Sequence, residues 1–408
     1  MLLEKRIKYA FLISLCALNG HKLGTSIDSM ICTFSFLFLV FLECCYLFNN
    51  HLIITKNYIV KYYAIFIGYY FLSIIWSASI SDTLSNTSYF VQILCLVIVL
   101  SNHMRSPETA KEYLRMIIFS LLYMLVILYF RTPFNELGTE RIGLDIGLNQ
   151  NDLGVRCVVG FFLCCCFVHD TPLFSVSSII LFGFTALLTG SRKSFMMIFL
   201  GITIISISQR NFIKLFRNIL VSSLLLISVY FIVMNTHFFY DVLGNRIQSL
   251  LNFYDFDFGA TKYDSIKTSY SIEERALFRR YAYQLFLEHP FFGSGGEGFR
   301  TYMRVQTLER ETYSHCNYLE LLSTLGLVGF CLYYWFEIKV LFRCFKNFLH
   351  SSNKEYLFLF TIVFVNLFAE YSYVPYYSPF IQIVLASIAL FNETNSKTEV
   401  ENEKRIVF

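Results

Sequence analysis

Long apolar runs, separated by short polar connections, dominate this chain from one end to the other. A helix needs roughly 20 apolar residues to cross a hydrocarbon core about 30 Å thick. Runs that approach or meet this length lie at 7–19, 27–48, 58–76, 87–101, 113–130, 151–168, 174–190, 193–208, 217–236, 318–338, 355–371 and 376–391. Only helices satisfy the backbone in lipid across consecutive runs, so the pattern predicts an all-α polytopic membrane protein with about twelve transmembrane helices.

The longest polar interval, 237–316, separates the ninth apolar run from the tenth. It is too long for a loop that only connects two helices, so we expect this loop to be functional. Within it, Ser271 and Glu274 form a capping-box signature before an amphipathic stretch that Pro290 ends, which predicts a helix along the membrane surface. The predicted organisation is helices 1–9 in 1–236, the large loop in 237–316, helices 10–12 in 317–391 and a polar, disordered tail in 392–408.

Lys and Arg are distributed unequally between the two sides of these runs. If the N-terminus is cytoplasmic, the inner connections hold most of them, while the short outer connections hold only Lys22, Arg131, Arg141, Arg192 and Lys193. The positive-inside rule therefore predicts that both termini are cytoplasmic and that the large loop lies outside. The first run follows several basic residues without a convincing cleavage site, so it is predicted to be an uncleaved first helix.

Composition excludes several classes of protein. With 56% hydrophobic and 15% charged residues, the chain carries more apolar surface than a soluble core can bury. The net charge of +4 is spread between the runs, which argues against a nucleic-acid partner. The twelve cysteines form neither a C-x-x-C pair nor a Cys/His metal spacing, so no metal is expected.

Four polar features are predicted to meet at the outer ends of the spans: the connection 140–154, the turn 189–193, the loop arginines Arg275, Arg279 and Arg280, and the segment from His315. Arginine suits a phosphate or pyrophosphate, because its planar donors bind two oxygens at once and stay charged at any working pH. A histidine beside them is suited to act as a general base near neutral pH.

Each of these residues also has a structural explanation. Arg192 and Lys193 can anchor a helix end by snorkelling to the interface, which is the commoner fate of such residues. Arg279 and Arg280 can form a solvated helix face, and His315 can cap or pack. The sequence leaves both explanations open.

Two further features favour structural roles. Arg156 lies four residues after Asp152 on one helical face, which predicts an ion pair. The glycine-rich turn 293–298 lacks the Lys-Ser/Thr ending and the preceding strand of a nucleotide loop. The turn therefore resembles a phosphate nest only weakly.

Taken in order, the outer features resemble the bacterial superfamily of O-antigen polymerases and O-antigen ligases. The blocks that carry the resemblance are NQNDLG at 149–154, GSR at 190–192, Arg275 ahead of HPFFGSG at 289–295, HCNYLELL at 315–322 and GLVG at 326–329. In one departure, Cys316 follows His315 where the family often has Asn, and Asn317 comes one place later.

The resemblance implies a GT-C-like enzyme that transfers a glycan from undecaprenyl pyrophosphate at the outer face of the bacterial inner membrane, without metal or other cofactor. It assigns catalysis to His315, Arg275 and Arg192: the arginines bind the pyrophosphate and the histidine deprotonates the acceptor hydroxyl. Substrate-binding side chains are expected at Arg141, Asn151, Arg279, Asn317 and Glu320. The implied partners are the lipid-linked oligosaccharide, the bilayer, a chain-length regulator and a flippase.

Three functions follow as hypotheses. We favour a polymerase that joins repeat units into O-antigen or capsular polysaccharide, because the His315 block resembles that of such polymerases. A ligase that transfers the finished glycan to lipid A core or another acceptor is the nearest alternative. A secondary transporter or flippase would instead predict paired halves and ionisable residues near the bilayer midplane, where these spans are nearly free of charge.

Overall fold

The structure is a computed structural model that describes residues 2–49, 57–133, 142–167, 171–208, 262–306, 312–351 and 353–406, with scattered positions from 217 to 240. These residues form helices and connections, with no strand among them, so the all-α prediction is confirmed. The helices are α1 Leu2–Gly20, α2 Ser26–Asn49, α3 Tyr58–Leu72, α4 Ile80–His103, α5 Pro107–Arg131, α6 Gln150–Phe167, α7 Pro172–Leu188, α8 Arg192–Ile207, α9 Lys262–Glu288, α10 Gly298–Gln306, α11 Asn317–Ser351, α12 Lys354–Ala369 and α13 Pro379–Ile406.

Seven described segments are long and apolar enough to cross a membrane: Ser26–Asn49, Tyr58–Ile75, Ile80–His103, Pro107–Arg131, Gln150–Phe167, Asn317–Ser351 and Lys354–Ser372. Helix α7 is apolar but shorter. Most of the predicted span at 217–236 and the first part of the large loop, 237–261, lie outside the described residues. The total of twelve spans therefore stays a prediction.

Large apolar side chains face outward from these helices. Phe41 on α2, Ile65 on α3 and Val126 on α5 are 63%, 59% and 64% exposed. In water, such surfaces would drive association, whereas lipid tails solvate them as well as a protein core does. The fold is that of a polytopic membrane protein.

Helix α13 lies at the centre of the described bundle. Its side chains from Phe380 to Phe391 are almost all buried, and it packs against α4, α5 and α11. The helix then continues to Ile406, so the prediction of a disordered tail from Asn392 is wrong. Extending an existing helix avoids the cost of nucleation, which lets polar residues prolong it.

Helices α9 and α10 form a small layer over one end of the bundle. Phe278, Ala282 and Leu285 of α9 pack against Phe299 and Met303 of α10. Helix α9 ends at Glu288, as predicted, but it begins at Lys262, so the predicted start at the Ser271 capping box is wrong. Serine costs little inside a helix, and a local capping signal does not prevent an upstream start. Helix α9 also packs against α11, which fixes this layer to the membrane-spanning helices.

Candidate active site

A cavity of about 720 Å³, with many polar side chains in its lining, lies where several helices begin, at the predicted outer end of the bundle. Its walls come from the turn after α1 and from the first turns of α2, α6, α8 and α13, together with α4. The lining side chains that matter below are Lys22, Ser29, Thr33, Asn86, Tyr89, Gln92, Asn149, Asn151, Asp152, Lys193, Tyr313, His315, Ser372, Tyr373 and Tyr377. Helix N-termini carry partial positive charge, so their convergence favours an anionic ligand.

A smaller pocket of about 130 Å³ adjoins this cavity, lined by Arg275, Arg279, His315, Tyr371 and Ser372. Both arginines come from α9, where the Arg279 guanidinium also lies 5.1 Å from the centre of the Tyr371 ring. His315 and Ser372 line both the small pocket and the large cavity. His315 therefore stands between an arginine pair and the larger polar cavity.

The backbone of His315 adopts the left-handed conformation, with φ = 58°. Such a conformation costs a residue other than glycine about 1–3 kcal/mol, although histidine visits it more readily than most. Its neighbours supply the restraint: the Ser314 backbone N–H donates to Glu320 Oε2 at 2.7 Å, and Ser314 Oγ donates to the Cys316 carbonyl at 2.9 Å. Glu320 thus holds the turn that presents His315.

Aromatic rings hold the imidazole of His315 from two sides. The Tyr313 ring centre lies 4.2 Å away, and the Phe278 ring stacks nearly parallel at 6.0 Å. Burial raises the pKa of the Tyr313 phenol, and the positive charge of Arg275 opposes that rise. Tyr313 therefore stays a neutral donor beside the histidine at physiological pH.

Asn317 lies behind the cavity wall, fully buried. Its Nδ2 donates to Glu370 Oε2 at 2.8 Å and to the Tyr334 hydroxyl at 2.9 Å, while Tyr334 also donates to Glu370 at 2.6 Å. Asn366 adds a further donor to the same carboxylate at 3.0 Å. This cluster joins α11 to α12 across the bundle interior.

The predicted ion pair of Arg156 with Asp152 is confirmed. Arg156 Nη2 lies 3.2 Å from Asp152 Oδ2, its side chain is completely buried, and it also donates to Asn19. The other oxygen, Asp152 Oδ1, accepts a hydrogen bond from the Tyr373 hydroxyl at 2.8 Å. Burial raises the pKa of Tyr373 well above its usual value, and the Asp152 charge adds to the rise. The Asp152 carboxylate is thus fully engaged at the floor of the cavity.

Two lysines contribute positive charge to the cavity. Lys193 Nζ donates to the Ser372 carbonyl at 2.7 Å and lies 4.8 Å from the Tyr373 ring centre. Lys22 is held by a backbone hydrogen bond to the Ile146 carbonyl at 3.2 Å. Burial, with the nearby Arg156, lowers the pKa of Lys22 to about 8, while Asp152 acts against this.

The model of the O-antigen ligase family matches residues 177–334. No curated protein gives a significant match to the chain. The matched part includes most of α7, the turn to α8, Arg275, the turn at 289–295 and His315, but not the block at 149–154. The match supports the resemblance of the chain to the O-antigen polymerase and ligase superfamily. Proteins of this family are membrane enzymes of the glycosyltransferase type.

The superfamily blocks at 289–295 and 326–329 dock onto each other. Helix α11 is broken at Gly326, where φ is 67° and ψ is −169°. The backbone N–H groups of Leu327 and Val328 donate instead to the carbonyls of Pro290 and Phe291, at 2.9 and 3.1 Å. A Cβ atom at Gly326 would collide with the Phe291 carbonyl. These blocks therefore fix the outer layer onto α11 rather than contact the cavity.

The glycine-rich turn that follows is also structural. Its Gly295 and Gly296 backbone N–H groups donate to the Thr324 carbonyl and to Ser73 Oγ, at 2.8 and 2.9 Å. The Gly296 carbonyl accepts from Ser77 and Thr83 at 2.7 Å each. With these groups occupied, the turn joins α11 to the connection before α4.

The sequence-predicted residues fall into four groups. His315, Arg275 and Arg279 meet at the small pocket, and Asn151 lines the large cavity. Asn317 and Glu320 lie behind the wall, where they shape it. Arg192 begins α8 and lines neither described pocket, whereas its neighbour Lys193 lines the large one. Arg141 lies outside the described residues.

The cavity also contains residues that the sequence did not nominate. Lys22 and Lys193 lie in short outer connections against the positive-inside trend, so the signal that selected Arg192 was present for them too. Tyr313 and Tyr373 carried no comparable signal. Among the described residues, no group of three or more His, Cys, Asp or Glu side chains is arranged to hold a metal ion.

Proposed function

We propose that this protein is a polymerase that joins oligosaccharide repeat units carried on undecaprenyl pyrophosphate, at the outer face of the bacterial inner membrane. The carrying observation is the position of His315 between the Arg275–Arg279 pocket and the large polar cavity. This arrangement supplies a base and a set of cations around two adjoining open pockets. The match to the O-antigen ligase family model supports glycan transfer as the reaction class.

In the proposed reaction, a hydroxyl of the acceptor glycan attacks the anomeric carbon of the donor. A glycosidic C–O bond forms, the C–O bond to the lipid pyrophosphate breaks, and the hydroxyl proton passes to the imidazole of His315. General-base catalysis of this kind contributes about a hundred- to ten-thousand-fold in rate. The leaving pyrophosphate then holds the developing negative charge.

The cations near His315 are suited to receive that leaving group. Arg275 and Arg279 share its small pocket, and Lys193 lies on the adjoining wall within electrostatic range of Arg275. Fixed cations that face developing charge stabilise the transition state without reorganisation. Because they can neutralise a pyrophosphate themselves, we expect transfer to proceed without a metal ion, so activity should survive a chelator.

The proposed orientation places both termini in the cytoplasm. The cavity then lies outside, because the helices that contribute their first turns to it all begin on the side with few Lys and Arg residues. A lipid-linked donor would reach it after a flippase has moved the carrier across, and a chain-length regulator would act on the product. These partners are part of the proposal.

A ligase is the second candidate, because the matching family model is described as O-antigen ligase. It would use the same donor and the same base, but its acceptor would be lipid A core or another terminal acceptor. The transporter hypothesis has weaker support. Glu337 and Glu370 are buried, as a transporter would require, but Glu370 is occupied by Asn317, Tyr334 and Asn366.

The test is the surface-glycan profile, on gels, of cells that lack the gene and of the same cells complemented with wild type or His315→Ala. Loss of the long ladder, with a single repeat unit still attached, identifies a polymerase. Loss of all attached glycan, with polymer left on the lipid carrier, identifies a ligase. An unchanged profile in the deletion strain overturns both proposals.

A further inference from the structure

The large cavity has two chemically different parts. One part carries charged and titratable side chains, from His21, Lys22, Asp152, Lys193 and His315. The other carries uncharged polar groups only, and we call it the neutral wall; it consists of Ser29, Thr33, Asn86, Tyr89 and Gln92. The proposed reaction uses the charged part and gives no task to the neutral wall.

The neutral wall comes from two helices that are apolar enough to span a membrane. Ser29 and Thr33 lie one turn apart on α2, and Asn86, Tyr89 and Gln92 recur at intervals of three on α4. These spacings place each set on one helix face. Polar side chains in spanning segments are costly in lipid and normally face a cavity or a partner. The pattern therefore points to a contact with a polar ligand.

The side chains of Thr33 and Gln92 make no hydrogen bond within the described part of the chain. The Tyr89 ring is 48% exposed. Asn86, in contrast, is fixed by hydrogen bonds with Glu297 and Tyr70, which join α4 to the turn of the outer layer. On this wall the Asn86 amide is anchored. The Gln92 amide, the Thr33 hydroxyl and the face of the Tyr89 ring are available to a ligand.

These groups match the chemistry of a sugar ring. A glutamine or asparagine amide both donates and accepts, as each sugar hydroxyl does, and a tyrosine ring offers a flat apolar face to ring C–H groups. A charged sugar would meet no opposite charge on this wall. The cavity volume of about 720 Å³ lies within the roughly 300–1,000 Å³ range typical of small-molecule sites.

We infer that the neutral wall is a saccharide subsite that binds an uncharged sugar ring of the glycan substrate, separate from the cations that bind the pyrophosphate. The inference rests on the proposed function for the identity of the substrate. It divides recognition in the cavity between Gln92, Tyr89 and Thr33 for the sugar and Lys193 for the phosphates.

The test uses full-length protein in lipid nanodiscs and two separate probes. One probe is the repeat-unit oligosaccharide released from its lipid carrier, without phosphate; the other is inorganic pyrophosphate. We expect Gln92→Leu and Tyr89→Ala each to weaken oligosaccharide binding by about tenfold and to leave pyrophosphate binding unchanged. We expect Lys193→Met to weaken pyrophosphate binding and to leave oligosaccharide binding unchanged. Gln284→Leu, on the exposed surface of α9, is the matched control and should change neither.

Equal oligosaccharide binding by wild type, Gln92→Leu and Tyr89→Ala would overturn the subsite, as would a wild type that binds no oligosaccharide. Weaker oligosaccharide binding by Gln284→Leu would overturn the subsite too, because substitutions outside the neutral wall would then have the same effect as those within it. The proposed function fails separately, through an unchanged glycan profile in the deletion strain. A rise in KM for the lipid-linked donor alone would assign the bound ring to the donor, and a rise for the acceptor alone would assign it to the acceptor.

Discussion

The cavity at His315 and the buried cluster around Glu370 are two polar regions built from the same short segment of sequence. His315 faces the cavity, whereas Asn317, two residues later, donates to Glu370 in the interior. Around Glu370 the carboxylate meets donors from Asn317, Tyr334 and Asn366 and lies against no described pocket. In the cavity, cations face an open volume. A buried charge that several donors meet indicates a structural role, and an excess of one charge beside open volume indicates chemistry.

The largest expected effect is on the cavity side of this comparison. His315→Ala should lower kcat for glycan transfer by about a hundred- to ten-thousand-fold, because the acceptor hydroxyl loses its base. The unfolding temperature in detergent should fall only slightly, because the substitution removes the ring contacts with Tyr313 and Phe278 but no core side chain. The assay is transfer between purified lipid-linked repeat units.

His289→Ala is the matched control, because His289 is exposed in the turn after α9 and lines neither described pocket. Its kcat should match that of wild type. Near-normal transfer by a correctly inserted His315→Ala variant would remove His315 from catalysis and leave the cavity without its base.

On the other side of the comparison, Glu370→Ala should destabilise the protein. It leaves Asn317, Tyr334 and Asn366 without their common acceptor, but it also frees the neighbouring buried carboxylate of Glu337, so we expect a net cost of about 1–3 kcal/mol in the free energy of unfolding. The measurement is the unfolding temperature in detergent micelles, with transfer measured per folded molecule. We expect that specific rate to be retained.

Glu355→Ala serves as the control for this loss. Glu355 pairs with Lys111 at 2.6 Å in a partly exposed site, and such pairs contribute about 1 kcal/mol or less. If Glu370→Ala unfolded like wild type but lost transfer, the cluster would belong to the catalytic site. Its role would then not differ from that of the cavity at His315.

A smaller effect separates two adjacent cations. Lys193→Met should raise KM for the lipid-linked donor by about tenfold, because one charge-assisted contact to the pyrophosphate is lost. Arg192→Lys should change KM by less than about twofold if Arg192 anchors the helix end, since Lys can also snorkel. Loss of transfer in Arg192→Lys would instead support bidentate phosphate binding by the arginine, as its catalytic assignment from the sequence predicts.

The smallest expected effect is a pH dependence that arises from Lys22. Burial lowers its pKa to about 8, so it is charged at pH 7 and loses that charge as the pH rises through 8. Attraction to an anionic donor is therefore present at neutral pH and lost above 8, and KM for the donor should rise severalfold between pH 7 and 9. In Lys22→Arg the charge at position 22 persists, and the rise in KM should be smaller than in wild type. An identical pH profile in the two proteins would exclude Lys22 from donor binding.

The sequence alone was enough to establish the class of fold. Its apolar runs exceed what a soluble core can bury, and their lengths match a bilayer, so an all-α membrane protein was the physical solution. The same runs predicted most helices to within a few residues. The start of α9 and the helical tail were missed, because helix propagation through polar residues depends on an existing helix more than on local composition.

The sequence also indicated the chemistry of the site, through His315 and through cations placed against the positive-inside trend. It could not decide which residues face the cavity. Asn317 and Glu320 share a helix turn near His315, yet both point into the bundle, and Lys193 reaches the cavity where the adjacent Arg192 does not. Side-chain direction depends on how each helix is rotated against its neighbours, and a single sequence does not specify that rotation.

The roles of the two glycine-containing blocks could be assigned only from the tertiary structure. In the sequence, 289–295 and 326–329 were markers of a family; in the fold, they replace the hydrogen bonds that α11 loses at Gly326 and join the outer layer to it. Apolar patterning and charge distribution are local properties, so they determined the fold class, the predicted orientation and the types of catalytic residue. The open cavity, its neutral wall and its cations depend on segments far apart along the chain, and only their packing brings them together.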